Sequence, residues 1–403
     1  MTGSAAAVRP LLDLAPDLDL DGITAESLRA AGHLKWTVSG PDLLGACAAE
    51  MDYGTAPPVT AALAEALGKG ALGYLPQALA DGLAEACAAW QRDSYGWDVA
   101  PADVRLLPDV VRAFHVAIDH FSRPGSPVIV PVPAFTPFLT VPGLLGREVI
   151  PVEMVRSAGR YVLDLDALDR AYTVGGHLLV LCNPHNPTGR VMETGELHAI
   201  CEVVERHGGR VFADEVHAPL VYGGHRHVPY AATSPAAAQH TVTATSASKA
   251  WNLAGLKCAQ MVLGNDADRD RWERLGRLAT DGTSTLGAVA GTAAYRAGRP
   301  WLDAVLARLD HNRHLLAGLL AEHLPQVSHT PPEGTYLGWL DCRDLDLPGP
   351  DPATYFAAAA GVTTVDGGTC GAPGRGFVRV NFATTPEILT RIVRQLAAAA
   401  ATA

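Results

Sequence analysis

The chain has 403 residues, with 31 Lys and Arg against 42 Asp and Glu for a net charge of −11, and 48% of it is hydrophobic. Charged residues make up only 18%, which excludes a disordered polyelectrolyte, and the acidic balance without a Lys/Arg run excludes nucleic acid as a partner, since phosphates call for a basic stripe. The length accommodates about two to three domains.

The 7 cysteines (Cys47, Cys87, Cys182, Cys201, Cys258, Cys342 and Cys370) are odd in number, scattered and never spaced C-x-x-C. That argues against a disulfide framework or a zinc ribbon and for small, reduced core residues. No run reaches the ~18 to 20 apolar residues of a membrane span. The opening MTGSAAAVRPLLDLAPDLDLDG repeats Asp where a secretion signal needs an apolar stretch. The expectation is a cytoplasmic protein with no membrane partner.

From about Val104 to Leu263, β-branched runs alternate with helix-period stretches, the pattern of βα units in a mainly parallel sheet. PVIVPV (127–132), HLLVLC (177–182), RVFAD (210–214), TVTAT (241–245) and AQMVL (259–263) read as strands. Val110 to Phe121 and Glu196 to His207 read as helices covering the sheet. Pro300 opens a long amphipathic helix, striped by Leu302, Val305, Leu306, Leu309, Leu316, Leu319 and Leu320, that Pro325 stops. Beyond it TYLGWLD (335–341) and FVRVNF (377–382) read as strands, and Pro352 to Ala360 and Pro386 to Ala400 as helices. The closing AAAAATA reads as a frayed end. The expected organisation is residues 1–50 as an N-terminal segment joining a small domain, 51–295 as the large domain, and 296–403 as the linking helix and small α+β domain.

Four segments carry chemistry, most of them directly after a predicted strand, where open α/β sheets place ligands. CNPHNPTGR (182–190) turns sharply and leaves Asn186 with a free amide. In FADEVHAPLVYGGHRHVPY (212–230), Asp214 ends a strand with Glu215 and His217 beside it, suited to a cationic ligand atom. A metal site from Asp214, Glu215, His217, His225 and His227 is the rival reading, but the spacing fits no metal motif. His225 and His227 read as a solvated turn.

TATSASKAWNLAGLKCAQMV (243–262) places Ser246, Ser248, Lys249 and Lys257 together. Ser246-x-x-Lys249 matches the S-x-x-K of serine acyl-transfer enzymes, yet their S-D-N and K-T-G companions are missing. A lysine beside a second cation and partly desolvated has a lowered pKa and supplies a neutral amine for a Schiff base. In FVRVNFA (377–383), Arg379 interrupts an apolar strand and needs a partner, either a substrate carboxylate or an internal Asp or Glu. DGGTCGAPGRG (366–376) lacks the G-x-G-x-x-G pattern and reads as a flexible loop rather than a dinucleotide site.

N-P-T-G, then D-E-x-H, then S-x-S-K with a cation eight residues later, together resemble the large-domain motifs of fold-type I pyridoxal-phosphate enzymes. GYLPQALADGLAEA (73–86), PAFTPF (133–138), ADEVHAPLV (213–221), PPEGTYLGWLDCR (331–343) and RVNFA (379–383) look most like the cystathionine β-lyase, or carbon–sulfur β-lyase, group, from about Lys35 to Leu396. The resemblance implies an α/β, aspartate-aminotransferase-like large domain with a mainly parallel sheet and a smaller α+β domain. It implies pyridoxal 5'-phosphate bound through Lys249, with Asp214 on the pyridine nitrogen supported by His217, Asn186 on the phenolic oxygen, and Phe135, where relatives commonly have tyrosine, against the ring face.

Ser246, Ser248, Lys257 and the amides of Val110 and Val111 would take the phosphate, beside Asp109 where many relatives have glycine. Tyr74 would reach the phosphate of a partner subunit in a homodimer, and Arg379 would hold the carboxylate of an amino-acid substrate. Cys47, in CAAEMDY (47–53), stands where relatives have tryptophan, which enlarges the pocket if the space opens onto it. The implied reaction converts cystathionine or another cysteine S-conjugate to a thiol, pyruvate and ammonia. An aminotransferase and a decarboxylating or deaminating enzyme are the alternatives, and a catalytically silent regulator is a third that no helix-turn-helix or basic patch supports.

Overall fold

The computed structural model describes residues 22–38, 40, 42–276 and 281–403. The expectations for residues 1–21, including the absence of a secretion signal, lie outside them.

The main sheet contains β1 (Val104–Leu107), β2 (Val128–Val132), β3 (Val149–Ser157), β4 (Arg160–Leu163), β5 (Leu178–Cys182), β6 (Arg210–Asp214), β7 (Thr241–Thr245) and β8 (Ala259–Leu263). Their order is β1-β8-β7-β6-β5-β2-β3-β4. The central pairs are parallel, whereas β1–β8, β7–β8 and β3–β4 are antiparallel. Helices cover both faces of the centre, so β2, β5 and β7 are buried at every position and read as continuous apolar runs instead of alternating ones. Register sets Cys182 opposite Asp214 and Asp214 opposite Ala244, which lines up the carboxyl ends of neighbouring strands. That edge is where the site forms.

The helix Val110–His120 buries Phe114, Val116, Ala117 and Ile118 against this sheet, and Asp109 caps it by accepting the Arg112 amide at 2.7 Å. The helix expected from Glu196 starts two residues earlier at Thr194, because the Glu196 carboxylate reaches back to the Glu193 amide at 2.7 Å.

A second, antiparallel sheet runs in the order β9 (Ser328–His329), β10 (Leu337–Asp341), β12 (Phe377–Asn381) and β11 (Val365–Asp366). Two helices, Arg299–His323 and Pro386–Ala400, pack together beside it through residues such as Leu309, Leu316, Ile388 and Leu389. The closing alanines are not frayed: the helix runs to Ala400, Ala399 is buried, and its carbonyl accepts the Tyr355 hydroxyl at 2.9 Å. The segment Pro352–Ala360 is one α-turn continued by a wider π-turn.

The glycine-rich stretch at 366–376 also departs from expectation. It folds into two 3-10 turns, with the Cys370 carbonyl accepting the Ala134 amide at 2.8 Å. A Cβ at Gly367 or Gly374 would meet backbone oxygen at 2.3 or 2.0 Å, so the glycines permit close packing rather than mobility.

The N-terminal part lies along the second sheet. Leu44–Gly45 pairs in parallel with Val362–Thr363, and the Asp52 amide donates to Ala383 at 3.1 Å. Lys35 and Asp52, both fully buried, form an ion pair at 2.8 Å. Trp36 Nε1 donates to the second Asp52 oxygen at 2.9 Å, and Lys35 Nζ donates to the Ala383 carbonyl at 3.2 Å. Such a pair gains little over apolar packing, but removing one member strands the other's charge without solvent or partner. Asp52→Ala should therefore lower unfolding free energy by about 3–5 kcal/mol, whereas the double change Lys35→Met with Asp52→Leu should cost far less. Urea unfolding midpoints of the variants check this, and an Asp52→Ala midpoint equal to that of the unmodified chain would contradict it.

Candidate active site

A cavity of about 300 Å³ opens at the carboxyl ends of β5, β6 and β7, between the two sheets. Its walls bring together Val110, Val111, Phe135, Asn186, Asp214, His217, Ser246, Ser248, Lys249, Lys257 and Arg379. Tyr74 and Cys47 are not on these walls.

Lys249 follows β7 through a turn in which Ser246 accepts the Ser248 amide at 3.0 Å and donates its hydroxyl to the Cys258 carbonyl at 2.7 Å. The Lys249 amine donates to the Ala49 carbonyl at 3.2 Å. Burial lowers its pKa to about 8, helped by the Arg379 charge and opposed by Asp214 and Glu50. Asp214 is pushed the other way, up to about 7, by burial, against the pull of the Val216 amide at 3.0 Å and of the Lys249 charge. The cleft has brought an amine and a carboxyl from opposite ends of the scale to within reach of neutral pH, as sites for proton transfer require.

His217 is buried and held neutral, its pKa lowered to about 3 by burial and then by Lys249 and Arg379, and its Nδ1 has no partner within the described residues. Arg379 on β12 reaches across from the other sheet. Its guanidinium donates to Asn186 Oδ1 at 3.0 Å and to the Cys47 carbonyl at 3.1 Å, while Nε is buried without a partner. Among the described residues it forms no ion pair. An internal Asp or Glu partner is thereby set aside, leaving a forked cation that matches a ligand carboxylate.

In the cavity wall the intrahelical ladder of Val110–His120 begins with Ala113 donating to Asp109, so the Val110 and Val111 amides have no helical acceptor. Asp109 lines the same cavity. One oxygen caps the helix and the other pairs with Lys257 Nζ at 2.9 Å. Lys257 itself adopts a positive φ of 47°, a sparsely populated conformation for a side-chain-bearing residue. Phe135 stands edge-on to Phe138, with centroids 5.5 Å apart.

Tyr74 is 96% exposed, beside a separate surface hollow of about 720 Å³ shared with Leu72, Leu75 and Leu286. Cys47 meets the site through its carbonyl on Arg379, and its thiol lies close enough to act electrostatically on the same guanidinium. His227 is not in a solvated turn: it is buried and faces Glu215 at 3.2 Å, and Glu215 also accepts the Tyr230 amide at 2.8 Å. No group of three or more His, Cys, Asp or Glu among the described residues could hold a metal ion, and no described helix is long and apolar enough to cross a membrane. The Ala49 carbonyl and Tyr336, which donates its hydroxyl to it at 2.8 Å, were not legible as site groups. A backbone oxygen leaves no residue-type signal, and its position depends on how residues 46–52 cross the cleft.

Residues 41–396 match the family model of class I and II aminotransferases. The chain is 37% identical over 375 residues to cystathionine beta-lyase of Corynebacterium glutamicum, covering 92% of this chain and 98% of that one. It is 30% identical over 373 residues to cystathionine beta-lyase PatB of Bacillus subtilis, covering 91% and 96% respectively. The crystal structure of the PLP-bound C-S lyase from Staphylococcus hominis superimposes with a TM-score of 0.86 at 26% identity, covering 95% of this chain and 98% of that one.

The electrostatics of the cleft are testable on the protein alone. Acylation of Lys249 by a trace of acetic anhydride, followed by mass spectrometry, should rise as pH increases through about 8 and then level off, because only the neutral amine reacts. Asp214→Asn removes a charge that favours the ammonium form, so the midpoint should move down. An upward move, or a wild-type midpoint near that of an exposed lysine, would contradict the geometry.

Proposed function

The chain belongs to the class I and II aminotransferase family and is a pyridoxal-phosphate-dependent carbon–sulfur lyase, and we propose that it cleaves cystathionine or another cysteine S-conjugate to a thiol, pyruvate and ammonia. The observation that carries this reading is the buried Lys249 amine, brought to about 8 in a cavity shared with Asp214 and with Arg379, whose Nε has no partner among the described residues. The residues present fit the cofactor. The buried Asp214 carboxyl needs a cation such as a protonated ring nitrogen, His217 with its orphaned Nδ1 lines the same cavity, and helix-start amides with Ser246, Ser248 and Lys257 suit a phosphate.

When bound, the cofactor supplies an electron-poor ring that accepts the electron pair left behind when an amino acid loses its α-proton. Lys249 would hold the cofactor between turnovers and would be freed when the amine of the substrate takes its place. Arg379 exchanges its contacts with Asn186 and Cys47 for the substrate carboxylate, fixing the α-carbon near Lys249. Freed Lys249, with a pKa low enough to be partly neutral at physiological pH, takes the α-proton. Asp214 would keep positive charge on the ring nitrogen of the bound cofactor, Asn186 would donate to its phenolic oxygen, and Phe135 would cover one ring face. Lys257, paired with Asp109, would also lend its charge to the phosphate. With a thioether sulfur on the β-carbon, the electron pair left at the α-carbon would form a double bond to the β-carbon as the carbon–sulfur bond breaks, sulfur would leave as a thiolate, and water would convert the remaining three-carbon fragment to pyruvate and ammonia.

Tyr74 supports a homodimer in which it completes the partner's phosphate site, because a tyrosine so exposed, flanked by exposed Leu72 and a large hollow, is the kind of surface a second copy covers.

Incubation with cystathionine and other cysteine S-conjugates should release thiol and pyruvate without a keto-acid acceptor, and amino transfer that strictly requires such an acceptor would reject the lyase reading. Asp214→Ala at full cofactor occupancy should cut turnover by at least about 10²-fold, the scale of lost electrostatic stabilisation, and near-normal turnover would refute its role. Inactive Tyr74 and Lys249 variants, mixed under conditions of subunit exchange, should regain activity through hybrid dimers with one intact site. No recovery despite demonstrated exchange would place each site within a single chain.

A further inference from the structure

The segment that crosses the cleft is pinned carbonyl by carbonyl. Cys47 accepts from Arg379 at 3.1 Å, Ala48 and Glu50 both accept from Asn381 at 2.6 Å, and Met51 accepts from Asn252 at 2.9 Å. Ala49, in the middle, accepts from two groups: the Lys249 amine at 3.2 Å and the Tyr336 hydroxyl at 2.8 Å. A carbonyl oxygen has two lone pairs and serves both donors at once.

We propose that Tyr336 is a positioning residue for the proton transfer made by Lys249, holding in place the Ala49 carbonyl that receives the lysine amine after substrate has displaced it. The proposal rests on the reading of Lys249 as the base. A neutral amine has two N–H groups and one lone pair, so donating one N–H to a fixed acceptor restricts where the lone pair points. Without that acceptor the flexible lysine stem samples many orientations, few of them aimed at the α-carbon. While Lys249 carries the cofactor it no longer donates to Ala49, and Tyr336 is then the side chain that keeps this carbonyl where the amine will return.

Tyr336 is built to hold still. It is buried, its ring edge lies against His217 with centroids 5.9 Å apart, and its backbone carbonyl accepts the Phe382 amide at 3.1 Å. The preceding Thr335 sits at φ 69°, an unfavourable conformation for a β-branched residue, fixed by its amide donating to Leu220 at 2.8 Å and by its carbonyl accepting the Tyr222 hydroxyl. Leu220 in turn donates its amide to the His217 carbonyl at 2.8 Å, so a chain of hydrogen bonds ties the loop after Asp214 to the tyrosine behind Ala49. Burial also raises the phenol pKa, which keeps the hydroxyl a donor across the working pH range. Tyr336 does not line the cavity and so acts through Ala49.

The test is Tyr336→Phe, which keeps the ring and deletes the hydroxyl. Exchange of the α-proton of L-alanine in D₂O, followed by NMR, isolates proton transfer, since alanine carries no sulfur to expel. The holoenzyme variant should keep the visible spectrum and cofactor dissociation constant of the wild type and a near-normal KM, while kcat for exchange falls between about 10-fold and 100-fold. In a Lys249→Ala background rescued by methylamine, the same substitution should have no further effect, because a free amine is not tied to Ala49. Exchange within about twofold of wild type, an equal loss in the rescued background, or a shifted spectrum with weakened cofactor binding would each overturn the proposal. Absence of exchange in the wild type would overturn the reading of Lys249 beneath it, a result separate from any effect of Tyr336.

Discussion

Taking Lys249, Asp214 and Arg379 out of water in one cleft is the constraint from which the rest of the site follows. Each charge is costly to bury, and the two cations repel one another, so the amine falls to about 8 and the carboxyl climbs to about 7. An apolar or well-paired substitute would be more comfortable for the fold. What the arrangement retains is unspent hydrogen-bonding capacity: Arg379 Nε and His217 Nδ1 stand buried without partners among the described residues. Groups left in that state are best explained by a ligand that supplies the missing charges and acceptors.

Two layers of structure sustain this discomfort. The parallel strands put Asp214 and the Lys249 turn on a rigid edge, with their register fixed by neighbours buried on both faces. The other half is supplied by chain far away in sequence, where Arg379 and Asn381 on β12 and the crossing segment at 47–51 are tied by side-chain bonds to backbone carbonyls. The buried Lys35–Asp52 pair then anchors the segment immediately after it crosses. A shift of this anchor would move the Ala49 carbonyl, so a structural ion pair and the placement of the reactive amine are mechanically connected.

Much of this was legible in the sequence because it depends on local pattern. The strands ending at Cys182, Asp214 and Thr245 were visible as β-branched runs, and Asp214, Lys249 and Arg379 as polar residues where such strands end or where an apolar strand is interrupted. The rest depends on what lies across space. His225 and His227 stand two apart in the same turn, yet only His227 meets the buried Glu215. The glycines at 367 and 374 read as freedom until the opposing backbone closed on them. Asp109 raised the question of charge beside a phosphate, and only geometry shows one carboxylate serving both a helix cap and Lys257. Tyr336 sat within a quoted motif, but its target is a carbonyl with no identity in the sequence.

The most direct test of the account is where the cofactor becomes attached. Protein loaded with pyridoxal phosphate, reduced with borohydride and digested, should yield a single phosphopyridoxyl peptide carrying the modification on Lys249, and Lys249→Ala should yield none. A reduced adduct on Lys257 or any other lysine in the wild type, or an undiminished adduct in Lys249→Ala, would contradict it.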